Sequence, residues 1–195
     1  MPQKNSNETD DKEIIGQAIA GQNGAFAELV HKYSAFVSAI VKKHVPLDEA
    51  EDVMQDIFLR VYRSLPTFNN QSPFRSWLSV IAVRTCYDFW RKRYKSKAFP
   101  ISSLSDKNQR WINEALSTNI YVYEKSAQRE AREVLDWALS KLSAGDRMVL
   151  ELVYLEDKSL KEAAELLGFS VANIKVKLFR SRRKVHKLLE SIRED

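Results

Sequence analysis

The stretch GFSVANIKVKLFRSRRKVHKLL, residues 168–189, decides how the C-terminal part of the chain is interpreted. When residues 171–192 are placed at steps of about 100° around a helix, one stripe is apolar and the opposite side is mostly basic. Val176 and Phe179 stand on the basic side, where a helix normally meets water. The apolar stripe, which we expect to face a core, consists of Val171, Ile174, Leu178, Val185, Leu188 and Ile192.

The residues before this helix have the features of a short helix and a turn. SLKEAAELL, residues 159–167, is amphipathic, Gly168 follows it, and Ser170 can cap the next helix. Together these segments predict a helix-turn-helix. Its basic side chains suit the phosphates and guanines of a DNA major groove, and its exposed apolar side chains suit thymine methyl groups. The alternative is a solvated basic face, with Phe179 packed against another helix.

Composition describes a globular chain whose two ends differ in charge. Hydrophobic residues make up 44% and charged residues 29% of the sequence, near the globular average. Residues 1–60 carry 6 basic and 10 acidic side chains, whereas residues 171–193 carry 8 basic and 1 acidic. This asymmetry predicts different partners for the two ends, and a polyanion for the C-terminal one.

Several classes of function lack the residues that they need. Cys86 is the single cysteine, for which we expect a buried structural thiol, and the three histidines are scattered. No phosphate-binding glycine loop and no nucleophile with its base is recognisable. We therefore expect a binding protein without a metal or other cofactor, not an enzyme. The first residues lack the apolar core of a signal peptide, and no apolar run approaches the roughly 18 residues of a membrane span, so we expect a cytoplasmic protein without direct membrane insertion.

Helical periodicity runs through most of the chain, and few segments alternate as strands do. The sequence predicts an all-α fold of two helical domains, residues 12–95 and 127–195. A flexible linker is expected over residues 96–126, and a disordered N-terminus over residues 1–11. In the first domain we expect helices near residues 12–20, 24–44, 48–65 and 74–94, with Asp48 as the N-cap of the third and Pro46 and Pro66 at helix ends.

The helix DEAEDVMQDIFLRVYRSL, residues 48–65, has an acidic face opposite its apolar stripe. Acidic side chains around an exposed leucine suit a basic partner protein and would repel DNA. The alternative is a face that only meets solvent. This acidic face consists of Asp48, Asp52, Gln55, Asp56 and Leu59.

The next helix, FRSWLSVIAVRTCYDFWRKRY at residues 74–94, interleaves aromatic residues with arginines. Val83, Arg84, Tyr87 and Trp90 fall on the side away from its apolar stripe, and a polar loop precedes the helix. Such residues can stack on unpaired bases and hydrogen-bond their edges. The alternative is a helix that is packed on both sides, with the aromatic residues in a core.

The order of these segments resembles the extracytoplasmic-function group of bacterial RNA polymerase sigma factors, within the sigma-70 family. The resemblance covers roughly residues 12–192, and it is weakest in the linker. It implies a factor that binds core polymerase and directs promoter-specific initiation, with sigma region 2 in the first domain and sigma region 4 in the second. The residues that carry it are AEDVMQDIFLRVYRSL, TFNNQSPFRSWLSVIAVRTCYDFWRKR and LSAGDRMVLELVYLEDKSLKEAAELLGFSVANIKVKLFRSRRKV.

The resemblance also implies roles for individual residues. The acidic face would bind the clamp helices of the polymerase β′ subunit. The loop and the helix after it would bind and help to open the −10 element through Phe68, Asn69, Asn70, Gln71, Ser72, Arg75, Arg84, Tyr87 and Arg91. The second domain would read the −35 element through Asn173, Lys175, Val176, Lys177, Phe179, Arg180 and Arg183. Val176 and the two lysines depart from residues common in the family, so a promoter preference does not transfer.

Further partners follow from the same resemblance. They are the polymerase β subunit, promoter DNA and an anti-sigma factor, often membrane-anchored, through which the otherwise nucleoid-associated chain would be tethered at the membrane. Two other functions remain open from the residues alone. One is a stand-alone regulator that dimerises on a palindromic operator. The other is a nucleic-acid-processing enzyme whose basic helices only position its substrate.

Overall fold

The computed structural model describes residues 6–22, 24–96 and 134–193. These residues form helices and turns without any strand, which confirms the all-α expectation. Contacts divide the chain into two compact helical units, one mainly of residues up to 89 and the other mainly of residues from 90 onward. The expected linker falls almost entirely outside the described residues. Among the helices that are described, none is long and apolar enough to cross a membrane.

The N-terminal unit is built from three helices and the larger part of a fourth, whose residues from Trp90 onward are grouped with the other unit. They are α1 (Ser6–Ile19), α2 (Ala25–His44), α3 (Ala50–Ser64) and α4 (Phe74–Ser96). Helix α1 packs on α2, and α2 packs on α3. Leu29, Val37, Ile57 and Leu78 are at most 2% exposed. Burial of each such side chain contributes about 1.5–3 kcal/mol, so the unit has a core that fixes the faces of its helices.

Prolines mark helix ends in this unit, as the sequence predicts. Helix α2 ends two residues before Pro46, and α3 ends two residues before Pro66. Helix α1 begins at Ser6, earlier than the expected start near residue 12. Cys86 is fully buried, as expected for a structural thiol.

The expected N-cap of α3 is wrong. Asp48 lies in a 3-10 turn, Leu47–Glu49, and α3 begins only at Ala50, with no side-chain cap. The backbone N–H of Glu49 donates to the carbonyl of Pro46 at 3.0 Å. This turn provides a backbone hydrogen bond just before the helix starts. The side chain of Asp48 therefore makes no cap and is exposed to solvent.

After the last residues of α4, the described part of the C-terminal unit continues with a helical segment, residues 134–140. Helix α5 (Ala144–Leu150) continues directly into one π-helical turn, Glu151–Leu155. Helices α6 (Leu160–Leu167) and α7 (Val171–Arg193) follow, and α7 packs on α5. The side chains of Met148, Leu152 and Ile174 are fully buried in this unit.

Serine caps begin three successive helices of the C-terminal unit. The hydroxyl of Ser143 accepts from the N–H of Asp146 at 3.3 Å, and the hydroxyl of Ser170 accepts from the N–H of Asn173 at 3.2 Å. Ser159 and Glu162 form a reciprocal capping box, in which each side chain accepts the other residue's backbone N–H. The expected cap at Ser170 is therefore confirmed. Gly168 has φ +71, the left-handed conformation that a glycine turn requires.

The capping box predicts a pH-dependent stability of α6. Hydrogen bonds from the hydroxyl and backbone N–H of Ser159 lower the pKa of Glu162. A carboxylate with a lowered folded pKa stabilises the fold above its unfolded pKa of about 4.3, and this contribution is lost as the pH falls through the folded value. We expect Glu162→Ala to speed amide hydrogen exchange at the start of α6 at pH 7. Below about pH 4 the exchange rate of the variant should differ less from that of wild type.

The matched control is Glu165→Ala, because Glu165 is exposed on the same helix and makes no cap. It should leave exchange at the start of α6 unchanged at both pH values. An exchange ratio for Glu162→Ala that does not depend on pH would contradict the assigned role of the carboxylate.

Candidate protein and DNA interfaces

Helix α3 separates a buried stripe from an acidic face. Val53, Ile57 and Val61 are between 0% and 6% exposed, and they fix which side of the helix meets the core. The predicted acidic face then lies outward. Asp48, Asp52 and Gln55 are exposed, Leu59 is 54% exposed and the Asp56 side chain is 44% exposed.

A groove of about 830 Å³ between α2 and α3 borders this acidic face. Phe58 and Tyr62 of α3 line it. Helix α2 does not cover these two side chains completely, and Tyr62 remains 57% exposed while its ring packs edge-on against that of Phe26, with 4.9 Å between the ring centroids. The groove is lined by Phe26, Val30, Ser34, Ser38, Lys42, Leu47, Ala50, Glu51, Met54, Gln55, Phe58, Leu59 and Tyr62.

The loop before α4 presents polar side chains on a fixed backbone. Asn69, Asn70, Gln71 and Ser72 are all exposed. The Gln71 N–H donates to the side-chain oxygen of Asn69 at 3.2 Å, and Asn70 has φ 57, a left-handed conformation that asparagine tolerates. The loop therefore offers amide and hydroxyl groups that can hydrogen-bond a base edge.

Phe68 differs from the other predicted loop contacts because its side chain is buried. It is 7% exposed, and its ring lies 5.4 Å from that of Phe74 and 5.2 Å from that of Trp77. The sequence pattern missed this burial, since the partner rings belong to the following helix. In this position the ring of Phe68 packs in the core next to the loop, and it is not exposed for contact with a base.

Helix α4 combines both interpretations that the sequence left open. Arg75, Arg84 and Arg91 are exposed, and Tyr87 is partly exposed. The guanidinium group of Arg75 lies 4.2 Å above the ring of Phe36. In contrast, Val83 and Trp90, which the periodicity had turned outward, are 4% and 6% exposed. The three arginines keep exposed surface on this helix, while part of its aromatic set belongs to a core.

Helix α7 exposes apolar side chains within a basic surface. Phe179 is 68% exposed and Val176 is 47% exposed, beside exposed Arg180 and Arg183. The alternative in which Phe179 packs against another helix is therefore not what the described residues show. Asn173 and Lys175 are also exposed. Two shallow depressions of about 680 and 710 Å³ share Lys175, Phe179, Arg183 and Lys187.

Two residues of α7 lie differently from what the sequence pattern alone indicates. Lys177 is only partly exposed, because its ammonium group lies 3.5 Å from the carboxylate of Asp146 and 5.4 Å above the ring of Phe169. These contacts hold it against the body of the unit rather than on the outward face. Val171 was expected in the core stripe, but it is 39% exposed because it lies in the first turn of the helix, before the packed region.

The described residues contain no cluster of three or more histidine, cysteine, aspartate or glutamate side chains that could hold a metal ion. The three surfaces instead suit recognition. An acidic face with an apolar groove, a polar loop beside arginines, and a basic face with exposed apolar residues all present binding chemistry.

Comparison with known proteins assigns the two units to one family. Residues 29–96 match the model of Sigma-70 region 2, and residues 132–185 match the model of Sigma-70, region 4. The chain belongs to the sigma-70 family, whose members are transcription initiation factors rather than enzymes.

Within that family, the chain is a sigma factor of the extracytoplasmic-function type. It is 28% identical over 188 residues to the RNA polymerase sigma factor CnrH of Cupriavidus metallidurans, covering 93% of this chain and 95% of that protein. It is 26% identical over 182 residues to the ECF RNA polymerase sigma-E factor of Escherichia coli, covering 91% and 93%. The solved structure of CnrH in complex with the cytosolic domain of CnrY matches with a TM-score of 0.52 and 26% identity, over 93% of this chain and 97% of that one.

The burial of Phe68 predicts that it acts on stability. Phe68→Ala should lower the free energy of unfolding of the N-terminal unit by about 3–5 kcal/mol, because it leaves a cavity between two aromatic rings. The matched control is Gln71→Ala in the same loop, which should change that free energy by less than about 0.5 kcal/mol. Urea unfolding followed by circular dichroism measures both. Equal effects of the two substitutions would show that Phe68 is not part of the core.

Proposed function

We propose that this sigma factor binds core RNA polymerase through the acidic face of α3 and reads promoter DNA with α7, the loop before α4 and α4 itself. The observation that carries the proposal is the separation of charge on firmly packed helices. An acidic face would repel DNA and attract a basic protein surface, whereas a basic face with exposed valine and phenylalanine suits a major groove. Both faces belong to a chain of the sigma-70 family.

Polymerase binding is assigned to α3 together with the groove beside it. A helix of the β′ clamp can place apolar side chains in the groove and basic side chains against Asp52 and Asp56. Leu59, at 54% exposure, supplies an apolar contact at the C-terminal end of this face, next to Asp56 and Gln55. An apolar anchor next to charged side chains is a common arrangement of a protein interface. Contact with the β subunit is a further part of this proposal.

Promoter reading is divided between the two units. The exposed residues of α7 would contact the −35 duplex, with Arg180 and Arg183 on phosphates or guanines and Val176 and Phe179 near thymine methyl groups. The polar loop, Asn69 to Ser72, would hold a base flipped out of the −10 element. Extrusion of a base costs a few kcal/mol, so the hydrogen bonds of the loop and the arginines of α4 would have to offset that cost.

An anti-sigma partner is also part of the proposal. The relative CnrH was solved in complex with the cytosolic domain of CnrY, and this supports a protein partner for this chain. The exposed groove residues and the exposed face of α7 are the surfaces that such a partner would have to cover. We place the factor in the cytoplasm at the nucleoid, or held at the membrane through that partner.

Charge reversal on α3 tests the polymerase assignment. Asp52→Lys combined with Gln55→Ala should weaken binding to core polymerase by roughly 100-fold or more, because a buried contact becomes a repulsive one. Binding is measured by titrating labelled factor with core enzyme. The control is Glu28→Lys, an equivalent charge reversal at an exposed position of α2 outside the groove. Equal affinity of the double variant and wild type would refute the assignment.

Salt dependence tests the duplex assignment. Arg180→Ala with Arg183→Ala should reduce the slope of log affinity against log salt by roughly one unit for each lost phosphate contact. The measurement is fluorescence anisotropy with −35 duplex DNA over a salt series. Lys12→Ala, which removes an exposed charge from α1, is the control and should leave the slope unchanged. An unaltered slope in the double variant would mean that the basic face meets only solvent.

A further inference from the structure

The guanidinium group of Arg60 joins two helices of the N-terminal unit. Arg60 lies on α3, one turn after Asp56, and its side chain is 33% exposed. One terminal nitrogen lies 3.1 Å from the carboxylate of Asp56, and the other lies 2.8 Å from the carboxylate of Asp88 on α4. Each carboxylate therefore uses a different nitrogen of the same planar group, an arrangement that arginine can make and lysine cannot.

The electrostatics of Arg60 favour this shared arrangement. Partial burial lowers its pKa, but hydrogen bonds with Asp88 and Asp56 outweigh burial, so the pKa lies above its ordinary value. The side chain of Asp88 is only 23% exposed. Arg60 is therefore a permanent cation that compensates two carboxylates, one of which lies largely out of solvent.

The two carboxylates belong to different proposed surfaces. Asp56 is part of the acidic face assigned to polymerase. Asp88 lies on α4, four residues after Arg84 and three before Arg91, which makes it a neighbour of both on the helix surface. A carboxylate there would weaken the attraction of α4 for DNA phosphates if no cation compensated it. Arg60 supplies that cation from the neighbouring helix.

We propose that Arg60 is a positioning residue that couples the polymerase-binding helix to the promoter-opening helix. It holds α4 in register with α3 and neutralises Asp88, so that the arginines of α4 meet the separated strand when α3 is docked on polymerase. This inference rests on the proposed function. Since a partly exposed ion pair adds little to folding stability, the role should appear in promoter opening more than in unfolding.

The test compares Arg60→Gln, Asp88→Asn and the double variant with wild type and with Lys12→Gln, which removes an exposed charge elsewhere in the unit. Three quantities are measured on the full chain: the midpoint of thermal unfolding, the affinity for core polymerase, and the rate of strand opening with saturating core. Opening is followed on a duplex promoter and on the same promoter with a mismatched, already open −10 region.

The expected result is a split between these readouts. Arg60→Gln should change core affinity less than about twofold, and it should slow opening of the duplex promoter by roughly three- to tenfold, the range of one lost hydrogen bond of typical net strength. The mismatched promoter should restore most of the rate, because its strands are already separated. Asp88→Asn should also slow duplex opening, because it breaks the contact with Arg60. The double variant should be no slower than Arg60→Gln, since Arg60→Gln has already lost that contact. Arg60→Lys should be intermediate.

Two results would overturn the inference. Duplex opening by Arg60→Gln at the wild-type rate would show that the ion pairs have no role in the reaction. An equal loss on both templates, together with a lowered unfolding midpoint, would show that the arginine only maintains the fold. Failure of the proposed function is distinguishable from both, because wild type itself would then fail to bind core or to open the promoter.

Discussion

A helix with a well-packed core side has only its other side left for partners, and this constraint governs the outward faces of α3 and α7. In α3 the buried line runs through Val53, Ile57 and Val61, which leaves Asp52, Gln55 and Leu59 outward. In α7 the core takes Ile174 and Leu178, and Phe179 and Arg180 are turned outward. The binding chemistry of each helix is thus decided by which residues its core has already taken.

The two outward faces differ in sign, and this difference has a physical consequence for assembly. Under the proposed function, a basic α7 would attract DNA from a distance in a manner that depends on salt, whereas the acidic face of α3 would be repelled by the same phosphates. The charges would then orient the factor before any close contact forms. The ion pair of Arg60 with Asp88 acts in the same direction, because it compensates a negative charge on the helix that carries Arg84 and Arg91.

The sequence predicted the features that depend on local chemistry. Gly168 and Ser170 were recognised because a left-handed turn and a serine cap depend on adjacent residues only, and the exposure of Phe179 followed from periodicity within one helix. The buried Phe68 was missed, because its burial depends on the rings of Phe74 and Trp77 across a turn.

Other differences also come from tertiary contacts. Lys177 belongs by periodicity to the basic face, but Asp146 of another helix holds it inward. The groove beside α3 could not be predicted from one helix alone, since its walls come from two. Of the two ion pairs of Arg60, only the one with Asp56 could be predicted from the sequence, because the two residues are four positions apart on one helix. The ion pair with Asp88 depends on the packing of α4 on α3.

Run-off transcription distinguishes a sigma factor from a stand-alone regulator. Bacterial core polymerase would be incubated with and without the purified chain on a pool of genomic promoter fragments, and the starts of the transcripts would be sequenced. We expect starts that depend on the protein and share two spaced upstream elements. Binding to duplex DNA without any such starts, in the presence of a core enzyme from the same organism, would contradict this expectation and would favour a stand-alone regulator.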